Sequence, residues 1–422
     1  MMQAQNRATY GSGTKQFPAT PGRRNTPHME SIYLGHLLPL EDYDKIIVLF
    51  SGGKDSLACI LDLLERGVPR NKMELWHHDI DGGHPTRYMD WPVTQNYVRA
   101  VAEYLGISLR TSWRVNGFFG ELYRIGASWP VRYDDPETGA VLQCRLSKNQ
   151  MRSAQLREKV LNDLEWDELK RIGQRLKFPA KSSNLDIRWC SSILKITVAD
   201  AVIRNLEELK GYGQRMKFPA KGSCQQGRWY SGSLKAQVEG ILYTEIDEMS
   251  KDTKILVVSG ERRQESSGRA KYNEMELHRT NATAKAHRLV HQWRSVIDWD
   301  ETQIWDIIRR YRIAPHPCYA VGWNRCSCMM CIFSLPTHWA GIRELFPERF
   351  AEVEEDERLL GFTVDNKKSL AEYVGSAKSC VCYNDQNAIQ QLTTGIFSAE
   401  DIEKSTWTIP AGAFHGAKGG PC

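Results

Sequence analysis

The sequence predicts a parallel α/β sheet, and three observations carry that expectation. The apolar, β-branched run Lys45-Ile46-Ile47-Val48-Leu49-Phe50 reads as a buried parallel strand. It leads into Ser51-Gly52-Gly53-Lys54-Asp55-Ser56, and then into a segment of helical period. Two further runs, Met73 to His78 and Lys254 to Ser259, repeat the strand pattern with helical segments between them. Strands alternating with helices argue a parallel sheet, in which ligands bind beyond the carboxyl ends of the strands. Ser51, Asp79 and Gly260 are therefore expected to converge on one pocket.

The elements follow in order. Residues 1–30, with Gly11-Ser12-Gly13, Pro18, Pro21 and Pro27, read as a flexible, slightly basic tail without an apolar h-region. Residues 31–300 are expected to form the α/β domain. From Lys54 to Arg66, Leu57, Ile60, Leu61 and Leu64 recur at helical spacing. The second strand ends at Asp79-Ile80-Asp81-Gly82-Gly83; a helix follows through Val93, Tyr97, Val101 and Leu105, then a strand from Ile107 to Trp113. Residues 301–422 are expected to be mainly helical and cysteine-rich, with Glu301 to Ile308 and Ala340 to Phe350 in helical period. Pro410 to Cys422, rich in Gly and Ala, is expected to be mobile.

An internal repeat interrupts this pattern at about 169–235. Leu169-Lys170-x-x-Gly173-Gln174-Arg175-x-Lys177-Phe178-Pro179-Ala180-Lys181 recurs as Leu209-Lys210-x-x-Gly213-Gln214-Arg215-x-Lys217-Phe218-Pro219-Ala220-Lys221. Arg188-Trp189-Cys190-Ser191 then matches Arg228-Trp229-Tyr230-Ser231. A solenoid needs about three stacked copies, so two read as a local duplication. Cys190 faces Tyr230 in this comparison, so the copies cannot share thiol chemistry. The second copy, through Arg215, Lys217, Lys221 and Arg228, is expected to be a basic surface for an anionic partner.

The chain has 422 residues and a net charge of +5. Between Arg145 and Lys235, basic residues outnumber acidic ones about two to one. That stretch suits nucleic acid, nucleotide phosphates or a solvated surface alike. No apolar segment approaches the roughly 20 residues that span a bilayer, so a cytoplasmic protein without membrane contact is expected. The 11 cysteines, an odd number without secreted context, point to metal binding or thiol chemistry rather than disulfides.

Three constellations carry chemistry. In Ser51–Ser56 the glycines let the backbone turn sharply, and the helix start aims free N–H groups at an anion. Lys54 adds charge, Ser51 and Ser56 add hydroxyls, and Asp55 is placed to help hold Mg²⁺: this is a phosphate cradle. Gly260-Glu261-Arg262-Arg263-Gln264-Glu265-Ser266-Ser267-Gly268-Arg269 follows the late strand, and its arginines suit phosphate or sulfate. Cys318, Cys326, Cys328 and Cys331 lie close in sequence and suit a zinc ion or a [4Fe–4S] cluster, with Cys190 the best distant ligand. Cys380-x-Cys382 is a weaker pair, and Cys422 a terminal thiol.

Ser51–Ser56 is not the G-x-x-x-x-G-K-[ST] loop. It resembles the S-G-G-x-D-S PP-loop of the ATP pyrophosphatases. Over about residues 43 to 350 the chain resembles the phosphoadenosine phosphosulfate (PAPS) reductase family of the adenine nucleotide α-hydrolase superfamily. Beside the loop, Arg188-Trp189-Cys190-Ser191-x-x-Leu194-Lys195 resembles the family's R-W-C-[ST]-x-x-L-K segment. Gly260-x-Arg262-x-x-Glu265-Ser266-x-x-Arg269 resembles its G-x-R-x-x-E-S-x-x-R loop. Trp299 to Phe333, with His316-Pro317-x-Tyr319 and Cys328-x-x-Cys331, resembles its closing block. The resemblance implies a Rossmann-like (HUP), mostly parallel five-stranded sheet with helices on both faces.

The family's sulfate reductases tend to have a degenerate PP-loop and a C-terminal E-C-G-[IL]-H motif. This chain has an intact loop and no such motif; Cys422 is the only stand-in. Its character is closer to the DndC-type proteins of DNA phosphorothioation and the iron–sulfur tRNA thiolases. The resemblance thus implies an ATP-dependent adenylating sulfurtransferase, making AMP and pyrophosphate and acting on DNA or tRNA, with a sulfur donor such as a cysteine desulfurase. In that reading Ser51, Gly52, Gly53, Lys54, Asp55 and Ser56 bind ATP and Mg²⁺. Leu49, Phe50 and Asp81 contact the nucleoside. Gly260, Arg262, Glu265, Ser266 and Arg269 surround the phosphates. Lys54, Asp55, Cys190, Arg262 and Arg269 are the catalytic set. Cys190, Cys318, Cys326, Cys328 and Cys331 hold a [4Fe–4S] cluster, with zinc as the fallback. The rivals are a PAPS or adenylyl-sulfate reductase, and a non-catalytic nucleotide- or DNA-binding subunit of a modification complex.

Overall fold

The computed structural model describes residues 36–84, 87–160, 175–182, 184–211 and 252–414. The expected tail, Cys422, and Arg215, Lys217, Lys221, Arg228 and Tyr230 of the second repeat copy lie outside the described residues.

Eight strands form one sheet in the order β5-β4-β3-β2-β1-β6-β8-β7. Its centre is five parallel strands: β1 Lys45–Leu49, β2 Met73–Asp79, β3 Ser108–Arg114, β6 Thr253–Val258 and β8 Arg288–Trp293. This is the mostly parallel α/β sheet expected. Three strands are added antiparallel at the edges: β4 Val131–Asp134 and β5 Val141–Gln143 beyond β3, and β7 Met275–Leu277 beyond β8. The sequence pattern did not reveal β8, because Arg288 and His291 break its apolar run. Both are buried with partners: His291 Nδ1 lies 2.7 Å from Tyr43 Oη, and Arg288 donates to Ile203 O at 3.0 Å.

Pleating sends alternate residues to two cores. Ile46 and Val48 face the larger one with Leu57 and Leu61 of α1 (Lys54–Glu65) and Tyr97 and Val101 of α2 (Thr94–Leu105). Ile47 and Trp76 face the other, against Val198 and Val202. In sequence the short helix α3 (Gly117–Leu122) lies between β3 and β4, and α4 (Lys148–Val160) lies between β5 and the second face's helix, α5 (Thr197–Asn205). Helices thus cover both faces.

The C-terminal third is mainly helical and joins the larger core. Its first helix, α6 (Glu301–Arg310), starts at a capping box: Asp300 accepts from the Gln303 N–H at 2.8 Å and Gln303 accepts from the Asp300 N–H at 2.9 Å. Its buried Ile304, Ile307 and Ile308 share the core with α1. The helix expected over Ala340 to Phe350 is two, one over Pro336–Leu345 and one over Pro347–Leu360. Pro347 disfavours helical geometry at the residue before it, and Phe346 is extended in φ at −135°. Pro410 to Phe414, expected to be mobile, packs as a turn: the Gly412 N–H donates to Tyr319 O at 2.8 Å, and Ala413 is buried. Among the described residues no helix is long and apolar enough to cross a membrane.

Charge is buried inside the sheet. Glu74 on β2 takes bonds from Arg110 Nε at 2.6 Å, Trp76 Nε1 at 2.8 Å and the Lys45 ammonium. Burial pushes the Glu74 carboxyl up, but Arg110 and Lys45 outweigh it and hold it below its usual range. Its stabilising contribution is therefore present above the unfolded value, about 4.3, and lost as pH falls through the lower folded value. Arg110→Met alone should cost about 3 kcal/mol, the low end for a broken buried pair because Glu74 keeps Lys45 and Trp76, and adding Glu74→Leu should recover only part of that, since Lys45 and Trp76 Nε1 then lose their acceptor. Urea unfolding of the three proteins at pH 7 checks this.

Candidate functional site

The strand ends build the cavity. After β1 the chain turns through Gly52, whose φ of +81° is the left-handed region that glycine enters without strain. Helix α1 begins at Lys54, and Gly53 O accepts the Leu57 N–H at 3.0 Å and Ser56 Oγ at 2.9 Å. β1 lies between β2 and β6, where the strand order reverses. A cavity of about 260 Å³ opens there, lined by Leu49, Phe50, Ser51, Gly53, Asp55 and Ser56. Gly260, after β6, closes it from the other side. A Cβ at Gly260 would lie 2.8 Å from Asp55 C and Ser56 N.

Charges on the walls are mixed. Arg188, Lys195, Arg269 and Arg325 line the cavity, with the carboxylates of Asp90, Glu261 and Glu265. Arg269 pairs with Glu265, whose Oε2 also takes the Arg262 N–H at 2.8 Å. Ser266 braces this loop, its Oγ accepting the Arg269 N–H at 3.2 Å. Lys54 and Arg262 are buried and stand behind the wall. Arg262 Nε meets Asp55 Oδ1 at 2.5 Å, Lys54 Nζ lies 3.5 Å from Asp55 Oδ2, and the Lys54 N–H donates to Tyr319 Oη at 3.1 Å. Burial pushes the Asp55 carboxyl up, but Lys54 and Arg262 outweigh it and bring it below its usual range.

Of the expected phosphate residues, Ser51, Gly53, Asp55, Ser56, Gly260, Glu265 and Arg269 reach the cavity, with Gly52, Lys54, Arg262 and Ser266 directly behind them. Asp81 does not line it. Its carboxylate takes the N–H groups of Met89 at 2.6 Å and Asp90 at 3.3 Å, and so ties down its own loop. Burial, then Asp90 and Asp79, push the Asp81 carboxyl well up.

The five expected metal cysteines divide. Cys190, Cys328 and Cys331 line a second, smaller cavity of about 40 Å³ with Met89, Phe118, Leu194, Met330, Ile332 and Phe333. Ile80, Ser191, Lys195 and Cys328 line both cavities, so the two adjoin. Cys190 and Lys195 come from a helical stretch whose π turn, Ser192–Ile196, precedes α5. Such turns recur at functional sites. Cys318 and Cys326 group instead with His316, and Cys326 also lines the larger cavity. Cys380 is partly buried beside Gly341, and burial pushes its thiol up to about 12.

Several cavity residues escaped the sequence reading. Arg188 and Lys195 flank Cys190 in its own motif, which was the available signal. Arg325, Asp90 and His77 had no local signal. His77 is buried, with Nδ1 3.1 Å from Phe50 O. A carbonyl only accepts, so Nδ1 carries the proton and Nε2 presents a lone pair. Burial holds this imidazole below its usual value, hence neutral. Among the described residues Nε2 has no hydrogen-bond partner. A buried acceptor in the cavity wall suits a ligand hydroxyl or amine.

Gly260→Ala should press a methyl group into the start of α1. Nucleotide affinity should fall by more than about tenfold, whereas Gly67→Ala, with nothing within 4 Å but strained by a φ of +78°, should cost stability and leave affinity unchanged. Calorimetric titration of both variants with ATP checks this.

The comparisons with known proteins agree with this geometry. Residues 170–334 match the family described as phosphoadenosine phosphosulfate reductase domain. The matched stretch holds Arg188 to Lys195, Gly260 to Arg269 and His316 to Cys331, while Ser51–Ser56 lies before it. The chain is also similar to an uncharacterized 37.8 kDa protein in the gpa 5′ region of Escherichia phage 186. The two are 26% identical over 328 residues, covering 74% of this chain and 75% of the phage protein. Residues 170–334 of this chain thus carry a phosphoadenosine phosphosulfate reductase domain.

Proposed function

We propose that this protein cleaves ATP to AMP and pyrophosphate and uses the adenylate to place sulfur on an acceptor, a nucleic acid being the preferred class. The observation that carries this reading is the junction of two cavities. One is lined by the Ser51–Ser56 turn and by arginines, the other by three thiols, and Lys195 and Cys328 belong to both.

The pyrophosphate would lie over the start of α1, where Ser51, Gly53 and Ser56 line the cavity and Arg269 and Arg325 supply charge. An acceptor oxygen attacks the α-phosphorus, the bond to the bridging oxygen breaks, and pyrophosphate leaves. Charge grows on the leaving group, so fixed cations lower the barrier more than they lower the ground state. Asp55 would act chiefly by holding Arg262 and Lys54 in place. Asp55 and Glu261 present carboxylate oxygens to the cavity, the donor type that magnesium takes, and would hold that ion where it neutralises pyrophosphate. In the second step one of Cys190, Cys328 and Cys331 would carry a persulfide received from a donor persulfide; its outer sulfur attacks the adenylated carbon, the C–S bond forms, the C–O bond breaks, and AMP leaves. A second thiol of the three would then attack the inner sulfur, breaking the S–S bond to free the thiolated acceptor and leaving a disulfide that an external dithiol reduces. The three thiols, as soft donors, also suit an iron–sulfur cluster, which when bound would supply an iron for sulfur to sit on.

Asp55→Asn should lower pyrophosphate release by roughly 10²- to 10³-fold, without loss of the folded state by circular dichroism. Pyrophosphate release with ATP, and DNA or tRNA as acceptor, measures this. Binding of a sulfated adenylate with no binding of ATP would instead identify a reductase.

Cys190→Ala should leave pyrophosphate release within about twofold of wild type while sulfur incorporation into the acceptor disappears, since a uniform loss would signal misfolding instead. Radiolabelled sulfur, counted on the acceptor beside the pyrophosphate assay, separates the two steps.

A further inference from the structure

His316, Cys318 and Cys326 stand apart from the thiols of the smaller cavity. One ligand atom from each lies within 4.8 Å of the other two, and among the described residues this is the one such group of His, Cys, Asp or Glu. His316 and Cys318 are fully buried, and Cys326 is half-buried. Zinc–sulfur bonds of about 2.3 Å at tetrahedral angles put ligand sulfurs about 3.8 Å apart, so a metal would draw this group together by about 1 Å at most.

His316 Nδ1 accepts the Cys318 N–H at 3.2 Å, so Nδ1 is the unprotonated nitrogen, and a metal would take its lone pair over from that long bond. Nε2 then carries the proton and faces Thr94 Oγ1 at 3.3 Å, and Thr94 Oγ1 in turn lies 3.3 Å from Asp90 Oδ1. Metal-bound histidines characteristically have their second nitrogen held in this way by a polar group. Three ligands leave one tetrahedral position. Cys326 lines the nucleotide cavity while His316 and Cys318 are fully buried, so a fourth ligand from outside the chain would enter from the cavity side.

The group also sits directly under the phosphate turn. A Cβ on Gly53 would meet Cys326 O at 3.4 Å, and one on Gly52 would meet the His316 ring at 3.7 Å. Tyr319, next to Cys318, takes the Lys54 N–H. A metal here would tie the segment from 316 to 326 into a floor for the turn.

We propose that His316, Cys318 and Cys326 form a zinc site of their own, with an open fourth position toward the nucleotide cavity, distinct from the Cys190, Cys328 and Cys331 thiols. Two thiolates and one imidazole match the soft-to-borderline donor set that zinc takes, and a three-ligand site with an open position is the arrangement of catalytic rather than structural zinc. The inference does not rest on the proposed sulfur transfer, because metal content is read without nucleotide or acceptor.

The full chain, purified without oxygen, should contain about one zinc per molecule by mass spectrometry of the metals. Cys326→Ser, at a half-buried position, should lose more zinc affinity than the roughly ten- to hundredfold that removing a partner behind a ligand costs, and Cys318→Ser should do the same. Cys328→Ser and Cys331→Ser should keep the wild-type zinc content. As a test that does not depend on a variant folding, the wild-type chain stripped of metal and loaded with Co²⁺ should show the visible bands of tetrahedral cobalt and a thiolate charge-transfer band. The proposal is overturned if zinc survives in Cys326→Ser, if it is lost in Cys328→Ser or Cys331→Ser, if iron occupies the group, or if the stripped chain takes up neither Zn²⁺ nor Co²⁺.

Discussion

Asp55 lies between two cations at the seam where β1 and β6 end, and the site depends on that contact. The carboxylate joins the phosphate turn to the Gly260–Arg269 loop through Arg262, while Lys54 closes on its other oxygen. Removing one member would leave a buried charge without its counter-charge, which costs several kcal/mol, so the two loops are held in one relative position. Gly260 makes the same seam steric as well as electrostatic, since only a residue without Cβ fits against the start of α1. Preorganised cations of this kind need no rearrangement when charge appears on a bound phosphate.

The C-terminal third completes the site rather than standing beside it. Tyr319 holds the Lys54 N–H, Glu301 lies 3.8 Å from Lys54 Nζ, and Arg325, Cys326, Ser327 and Cys328 form one wall of the cavity. The apolar face of α6 packs into the core shared with α1, so the wall and the phosphate turn rest on the same packed layer. Thiols reach the cavity because the helical stretch leading into α5, packed on the larger core through Trp189 and Leu194, brings Cys190 and Lys195 to meet the Cys328–Cys331 segment.

Much of this was legible along the chain. β1 and β6 were visible as apolar runs because parallel central strands are buried on both faces, while β2 and β3 mix polar with apolar residues and were legible mainly from their place between helical segments. The phosphate turn was visible because its glycines, lysine and serines are contiguous. β8 was not, because its buried Arg288 and His291 resemble surface residues until Ile203 O and Tyr43 are known to meet them. Asp81 looked like a ligand residue at a strand end, yet its oxygens face the N–H groups of its own loop. Local pattern reports which groups are polar, not where their partners lie.

The sequence by itself determined the parallel α/β class, the strand ends that carry the site, and the types of chemistry present: a phosphate turn, an arginine loop and a thiol-rich segment. Those are local properties, set by periodicity and by contiguous residue types. Only the tertiary structure decided how five cysteines divide, placing Cys318 and Cys326 with His316 and the other three around an apolar cavity. It likewise decided that Lys54 and Arg262 stand behind the wall while Arg188, Lys195 and Arg325 line it. The reason is that side chains brought together by sheet order and helix packing are far apart along the chain, and sequence spacing does not encode the direction in which each one points.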